Sequence, residues 1–281
     1  MPDLAFILKV SRPRFWVYLL GPYLVGLVAA VATREELLNL HYAIFAIYFT
    51  LPANLLVYGV NDICDYETDK LNPKKADYEA LVTPERRSTI LLAILLSNLP
   101  FVAGLIYVPL VAINALVAFL LLSVFYSAKP IRAKAKPFLD SAFNILYILP
   151  GVFAYAMVSG DLLPWQAIVA GGLWTAAMHA YSAVPDIEAD READLSTIAT
   201  ALGANLTVAL CAGLYVASAF LAAEFLGFVA IPLGFAYLVL MLASFRSIKT
   251  GRIFALYRAF PMINLSAGFL IFWNIAWSKL I

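Results

Sequence analysis

The sequence predicts an all-α polytopic membrane protein with nine spanning helices, and three observations support it. Of its 281 residues, 63% are hydrophobic and 13% charged, against roughly half and a quarter in a soluble domain. Apolar runs of about 20 residues recur along the whole chain, each enough to cross a hydrocarbon layer of roughly 30 Å. Charged residues gather between those runs rather than inside them. The net charge of +1 gives no basis for a nucleic-acid partner, and none is expected.

The elements follow in order. Residues 15–33 form the first run; the stretch before it, Met1–Arg14, is too polar for a cleaved signal, so the run reads as a retained helix. The second, 41–60, stops at the acidic segment Asn61–Asp69. The third and fourth, 88–107 and 109–127, lead into the basic segment Tyr126–Pro137. The fifth and sixth, 138–158 and 163–185, end at a second acidic segment, Asp186–Asp194. The seventh and eighth, 204–223 and 225–245, precede the basic segment Ser244–Arg258, and 257–278 is the ninth. With the N-terminus in the cytoplasm, all but Arg34 and Lys279 of the 19 Lys and Arg residues fall on the cytoplasmic side, Lys74 and Lys75 included. The positive-inside rule then sets the topology, with the C-terminus outside and both acidic segments cytoplasmic. The recurrence of acidic and basic segments suggests two four-span halves plus a ninth helix, a weak internal repeat. Nothing marks a linker, so residues 1–281 read as a single domain.

The chemistry is concentrated in the acidic segments, which hold half of the 18 Asp and Glu residues. Asp62, Asp65 and Asp69 are spaced i, i+3, i+7, and Asp186, Asp190 and Asp194 are spaced i, i+4, i+8. A continuing helix would put each set on one face, and Asn54, Tyr58 and Asn61 extend the first stripe. Carboxylates at membrane-helix ends are costly and mark functional sites, usually beside an aqueous cavity. Solvated acidic loops are the plainer alternative, but the helical spacing occurs twice. Hard divalent cations ligated by oxygen are the natural compensation. Lys70, Arg132 and Lys134 stand just beyond cytoplasmic ends, where an anion bridged to protein through metal would lie. The basic residues also serve simply as topology signals. Arg pairs with phosphate oxygens through a planar fork.

Other residues receive blander readings. Cys64 and Cys211 lack metal-type spacing and read as small space-fillers. His179, two turns before Asp186, reads as a packing histidine sooner than a substrate contact. Pro52 and Pro185 interrupt the second and sixth runs ahead of the acidic stripes. Most aromatic residues read as lipid-facing or interfacial anchors, with a few free to line a pocket.

Assembled, these residues resemble the UbiA superfamily of intramembrane prenyltransferases over nearly the full length. The likeness rests on Asn61-Asp62-x-x-Asp65-x-x-x-Asp69 and Asp186-x-x-x-Asp190. Arg12-Pro13, the segment Tyr126-Ser127-Ala128-Lys129-Pro130-Ile131-Arg132-Ala133-Lys134, and Thr197-Ile198-Ala199 with Leu202-Gly203 support it. Leu195 departs from the pattern, since many members carry Lys there. Within the superfamily the chain is most similar to lycopene elongases, makers of C50 carotenoids. Tyr58-Gly59-Val60-Asn61-Asp62, Asn72-Pro73-Lys74-Lys75, Lys136-Pro137-Phe138-Leu139-Asp140 and Asp190 through Thr200 carry that likeness.

The resemblance implies a helical bundle around a central lipid-open cavity with cytoplasmic cap loops. It implies Asp62, Asp65, Asp69, Asp186 and Asp190 as catalytic metal ligands for two Mg²⁺ ions, the spacing adding Asp194. Asn61, Lys70, Tyr126, Arg132 and Lys134 would meet the diphosphate of an allylic donor, and the two aspartate rows would face each other across the cavity. The donor would be dimethylallyl diphosphate and the acceptor lycopene, both reached from membrane lipid. The resulting tertiary cation would be quenched by water or by proton loss, with no base assignable. An aromatic acceptor, as in quinone biosynthesis, keeps the same chemistry but would want a cationic anchor, and no Lys or Arg falls within a predicted span. A transporter of ions or lipid phosphates using the acidic stripes is the alternative of a different class.

Overall fold

A computed structural model describes residues 3–70 and 79–280, and helix is the only regular structure among them. The segment Asn72-Pro73-Lys74-Lys75 lies outside the described residues. In chain order the helices are α1 (Leu4–Val10), α2 (Val17–Ala30), α3 (Leu40–Tyr48), α4 (Leu51–Cys64), α5 (Tyr66–Asp69), α6 (Arg87–Asn98) and α7 (Leu110–Ser127). There follow α8 (Leu139–Ala142), α9 (Leu149–Ser159), α10 (Trp165–Ala183), α11 (Ile187–Glu192), α12 (Ile198–Leu202), α13 (Ala204–Leu226), α14 (Ala230–Lys249), α15 (Ile253–Tyr257) and α16 (Phe260–Leu280). Short 3₁₀ turns join several of them.

Seven helical stretches are long and apolar enough to cross a membrane, or eight if the bent pair Leu4–Phe15 and Val17–Ala30 counts as one span. The bend in that pair is 57°. Its cause is local: Arg12 adopts a left-handed backbone (φ 51°) immediately before Pro13, whose ring disfavours a helical conformation in the residue before it. Pro52 opens α4 in its first turn, so the α3–α4 run breaks there and resumes toward the acidic segment. Pro185 lies in a 3₁₀ turn, Val184–Asp186, between α10 and α11.

The chain forms two compact units. The first comprises Met1–Arg132 with Leu149–Leu162. Its centre is aromatic: Phe45 meets Phe153 at 4.9 Å between ring centroids, and Phe49 meets Phe119 at 5.8 Å and Tyr23 at 5.3 Å. Tyr23, Phe45, Phe49, Phe119 and Phe153 are wholly buried. Aromatic residues read as lipid anchors thus build a packed core, because edge-to-face rings fill the space between four helices without leaving polar atoms bare. The Tyr23 hydroxyl, the one polar tip in this cluster, donates to the Tyr42 carbonyl at 2.7 Å. Helices α2 and α9 approach so closely that a Cβ on Gly26 would lie 2.1 Å from the Gly151 carbonyl oxygen. Such a contact is open only to glycine. The leucines of α6 (Leu91, Leu92, Leu95 and Leu96) are by contrast exposed, as expected of a lipid-facing surface.

The second unit comprises Ala133–Ile148 with Leu163–Ile281. Here α10 packs on α13, and α13 on α14, with small polar groups between them. Ser218 donates to the Ala170 carbonyl at 2.7 Å, Cys211 to that of Ala177 at 3.4 Å, and Ser244 to the Tyr181 hydroxyl at 3.0 Å. Tyr237 donates to Asn264 at 2.9 Å and stacks on Tyr215 at 4.4 Å. Without a hydrophobic driving force between helices in lipid, close packing and such bonds set the pairing. Cys211 is buried among them, as its space-filling reading expects, whereas Cys64 is exposed.

Candidate active site

The first acidic motif closes α4 in the first unit. The helix runs through Cys64, breaks at Asp65, and resumes as α5, whose last amide (Asp69) donates to the Asp65 carbonyl at 2.8 Å. Asp62 and Asp65 are withdrawn from solvent at 1% and 3% exposure, and Asp69 is partly buried. A carboxylate this desolvated requires a partner. Asp62 has one in Arg12, whose Nη2 lies 2.8 Å from Oδ1. Asp65 accepts from the Asn61 amide at 2.7 Å, and the same amide reaches the Ser127 hydroxyl at 2.8 Å on the last turn of α7. Tyr126 immediately precedes that contact and is partly buried.

Arg12 had no assigned role in the sequence beyond its place before Pro13. The structure gives it three partners: Asp62, Glu79 at 3.2 Å, and the Tyr58 ring, 4.7 Å from the guanidinium carbon. Its Nε is buried without a hydrogen-bond partner among the described residues. Glu79 also takes Arg14 at 2.6 Å. Lys70 is exposed and hydrogen-bonds Glu67, which raises its pKa above the usual lysine value. Arg132 is partly buried in a left-handed conformation (φ 45°), its amide bonded to the Ala128 carbonyl at 2.9 Å.

The second motif lies in the second unit. Asp186 ends the Pro185 turn, Asp190 sits on α11, and both are partly buried. Asp190 Oδ2 accepts the Thr197 hydroxyl at 3.3 Å and lies within electrostatic reach of Asp186, His179 and Lys134. The expected third member of this stripe is elsewhere. Helix α11 ends at Glu192, and exposed Asp194 takes the left-handed conformation (φ 52°) in a tight C-terminal turn. The Leu195 amide returns to the Asp190 carbonyl at 2.8 Å and the Asp194 amide to that of Arg191 at 3.1 Å. This closure ends the i, i+4 period before it reaches Asp194. The single helical face predicted for Asp186, Asp190 and Asp194 is therefore corrected to Asp186 and Asp190 about one turn apart, with Asp194 outside it.

Behind the second motif stands Asp140, wholly buried on α8. Its Oδ1 accepts the Ser141 amide and its Oδ2 the Ile198 amide, each at 2.8 Å. Thr197, adjacent to Ile198, caps α12 in a reciprocal capping box with Thr200. One buried carboxylate so anchors the loop that delivers the Thr197 hydroxyl to Asp190.

The donor chemistry suits magnesium: carboxylate and amide oxygens, without soft ligands in the set. Among the described residues no three His, Cys, Asp or Glu side chains form a self-sufficient metal site. Mg²⁺ suits such a sparse set, since it draws on one or two carboxylates and completes its shell with water and substrate phosphate.

Comparison with known proteins bears on this chemistry. Residues 19–275 match the UbiA prenyltransferase family. The chain is 41% identical over 280 residues to the lycopene elongase/hydratase of Haloferax volcanii, covering 98% of this chain and 89% of that protein. It is 44% identical over 214 residues to the lycopene elongase/hydratase of Halobacterium salinarum, covering 76% and 77%. The fold is similar to a UbiA homolog from Archaeoglobus fulgidus bound to DMAPP and Mg²⁺, with TM-score 0.68, 19% identity, and coverage of 96% of this chain and 99% of that one. It is also similar to a UbiA homolog from Aeropyrum pernix K1, with TM-score 0.73, 18% identity, and coverage of 96% and 99%.

Proposed function

We propose that this chain, which belongs to the UbiA prenyltransferase family, transfers a dimethylallyl group from its diphosphate to lycopene or a closely related carotenoid. The observation that carries the acceptor is the 41% identity to a lycopene elongase/hydratase across 98% of the chain. The donor reading is supported by the related fold that binds DMAPP with Mg²⁺.

As an integral membrane enzyme, the protein would use residues 1–281 as one catalytic domain of nine spans. Two features support that count. The bent Leu4–Ala30 pair serves as one span. The 46-residue stretch Ala204–Lys249 is too long for one crossing and turns at Gly227 (φ 54°), where a Cβ on Gly234 would lie 2.7 Å from Ala219. Helices α13 and α14 thus form a hairpin of two spans. The distribution of Lys and Arg supports a cytoplasmic N-terminus and an outside C-terminus.

In this reading Asp62, Asp65 and Asp69 with Asn61, and Asp186 with Asp190, would hold two Mg²⁺ ions and through them the diphosphate. Asp194 is assigned to its turn instead. Bound magnesium would neutralise the charge that develops as the diphosphate departs. Arg12 joins Arg132 and Lys134 as a diphosphate contact, because its buried Nε is an unfilled donor beside the first motif. Lys70 and Tyr126 flank the first motif and complete the set. Asn61 fixes the orientation of Asp65, and the Thr197 hydroxyl fixes that of Asp190. Apolar surroundings would keep water from the allylic cation until the acceptor double bond captures it.

The test is product formation. Purified protein in lipid, given labelled dimethylallyl diphosphate, Mg²⁺ and lycopene, is expected to yield longer labelled carotenoids and to stop when the metal is chelated. Label transferred to an aromatic acid instead, or to no lipid acceptor, would overturn the reading.

A further inference from the structure

The chain carries no Asp or Glu after Glu224, yet Arg246, Lys249, Arg252 and Arg258 follow within one short stretch. All four residues are exposed, and among the described residues none of them is in an ion pair. Arg12, Arg14 and Lys70 of the first unit, by contrast, each face a carboxylate. The four cations gather where two stretches long and apolar enough to cross a membrane meet, Ala204–Lys249 and Ile253–Trp277.

The backbone draws this cluster together. Gly251 takes the left-handed conformation (φ 67°) after α14, and the Arg252 amide returns to the Ser247 carbonyl at 2.8 Å. The Gly251 amide donates to the Ile248 carbonyl at 3.2 Å, which completes a Schellman turn. Arg252 is thereby held against the helical turn that carries Arg246 and Lys249. Complementing the α14 dipole accounts for Arg246 and Lys249, but not for Arg252 and Arg258, which lie beyond that helix.

Helix α15 then divides by face. Ile253, Leu256 and Tyr257 pack on the buried cluster that includes Val184, Ile187 and Phe260. Phe254, Ala255 and Arg258 are exposed, Phe254 at 50%. Exposed cations around an exposed ring, at the end of a spanning stretch, suit a ligand with an anionic head and an apolar tail.

We infer that this corner of the second unit binds the headgroup of an anionic phospholipid, with Phe254 against its acyl chains. Basic clusters of this size beside a spanning helix attract such lipids, each cation adding to the pull. The corner packs against the Val184–Asp186 turn and uses none of the side chains assigned to magnesium.

The experiment uses the full chain, purified in micelles holding equal amounts of phosphatidylglycerol and phosphatidylcholine. Native mass spectrometry counts the phospholipid retained, and size-exclusion chromatography checks that each variant is folded. Wild type is expected to retain phosphatidylglycerol in preference, less so as salt rises. Arg252→Gln alone should lower that preference by up to about fivefold, the scale of one basic residue beside an anionic surface. Arg246→Gln, Lys249→Gln, Arg252→Gln and Arg258→Gln combined should abolish it. Changing the three arginines to lysine should preserve it, because the charge remains. Arg34→Gln, which removes an exposed cation elsewhere in the chain, should leave it unchanged. Equal retention of the two lipids by wild type would overturn the inference and leave the four cations as topology signals. So would an unchanged preference in the combined variant. Displacement of the lipid by inorganic phosphate or dimethylallyl diphosphate at matched ionic strength would overturn it too, assigning the corner to soluble phosphates. None of these readouts requires turnover, so they stand apart from the prenyl-transfer reading.

Discussion

In the first unit Asp62 is nearly excluded from solvent with a guanidinium 2.8 Å away, whereas in the second Asp190 is partly buried and meets a hydroxyl at 3.3 Å. The two motifs look alike in sequence, each a run of aspartates at the end of an apolar stretch. They differ in how their charge is carried. A carboxylate taken out of water needs charge or hydrogen-bond partners, and Asp62 finds a guanidinium where Asp65 and Asp140 find amide donors. A carboxylate that keeps some solvent can be steadied by a hydroxyl and an anchored loop. The stability of the first motif is therefore tied to a residue fifty positions away, while that of the second rests on local capping around Thr197 and on Asp140.

The largest expected effect tests what the motifs share. Asp62→Ala and Asp186→Ala should each lower turnover by about 10³-fold or more, on the scale of losing an electrostatic contact to the departing charge. Both variants should stay folded in detergent, as read by size-exclusion chromatography and helical circular dichroism. A near-normal rate in either one would break the symmetry and remove that motif from the metal site. The next effect tests what they do not share. Arg12→Ala should cost about 3 kcal/mol of stability by stranding Asp62, and Arg12→Ala combined with Asp62→Asn should recover part of it. Thermal unfolding in detergent reads both. An unchanged midpoint in the single variant would mean that the buried pair contributes nothing. The smallest effect lies in the second unit. Asp194→Gly should raise stability by up to about 1 kcal/mol, since glycine accepts the left-handed conformation without a Cβ penalty. Its turnover should match wild type, and a large loss would return Asp194 to the metal ligands.

The acidic segments of the candidate site are legible in the sequence itself. The spacings of Asp62, Asp65 and Asp69 and of Asp186 and Asp190 are read directly from the chain, although the helix breaks at Asp65, and the apolar runs around them follow from the bilayer. Three things were not. Arg12 was visible only as an Arg-Pro pair ahead of the first run, because its significance depends on Asp62 and Glu79, which the fold alone brings to it. Asp140 appeared inside a stretch similar to lycopene elongases, but its partner, the Ile198 amide, is 58 residues away. Asp194 kept the right spacing and lost the right geometry, since a helix end is decided by one left-handed residue that spacing does not reveal. The aromatic core of the first unit belongs with these. Phe45, Phe49 and Phe153 carry no mark that separates a packed ring from a lipid-facing one.

The chain by itself determined a helical membrane protein with two acidic helix ends, because transfer into lipid and helical period are properties of contiguous residues. Tertiary structure alone decided which carboxylates are buried and which cation answers Asp62. Those are properties of side chains far apart in sequence, and their energies depend on a desolvation that only packing supplies.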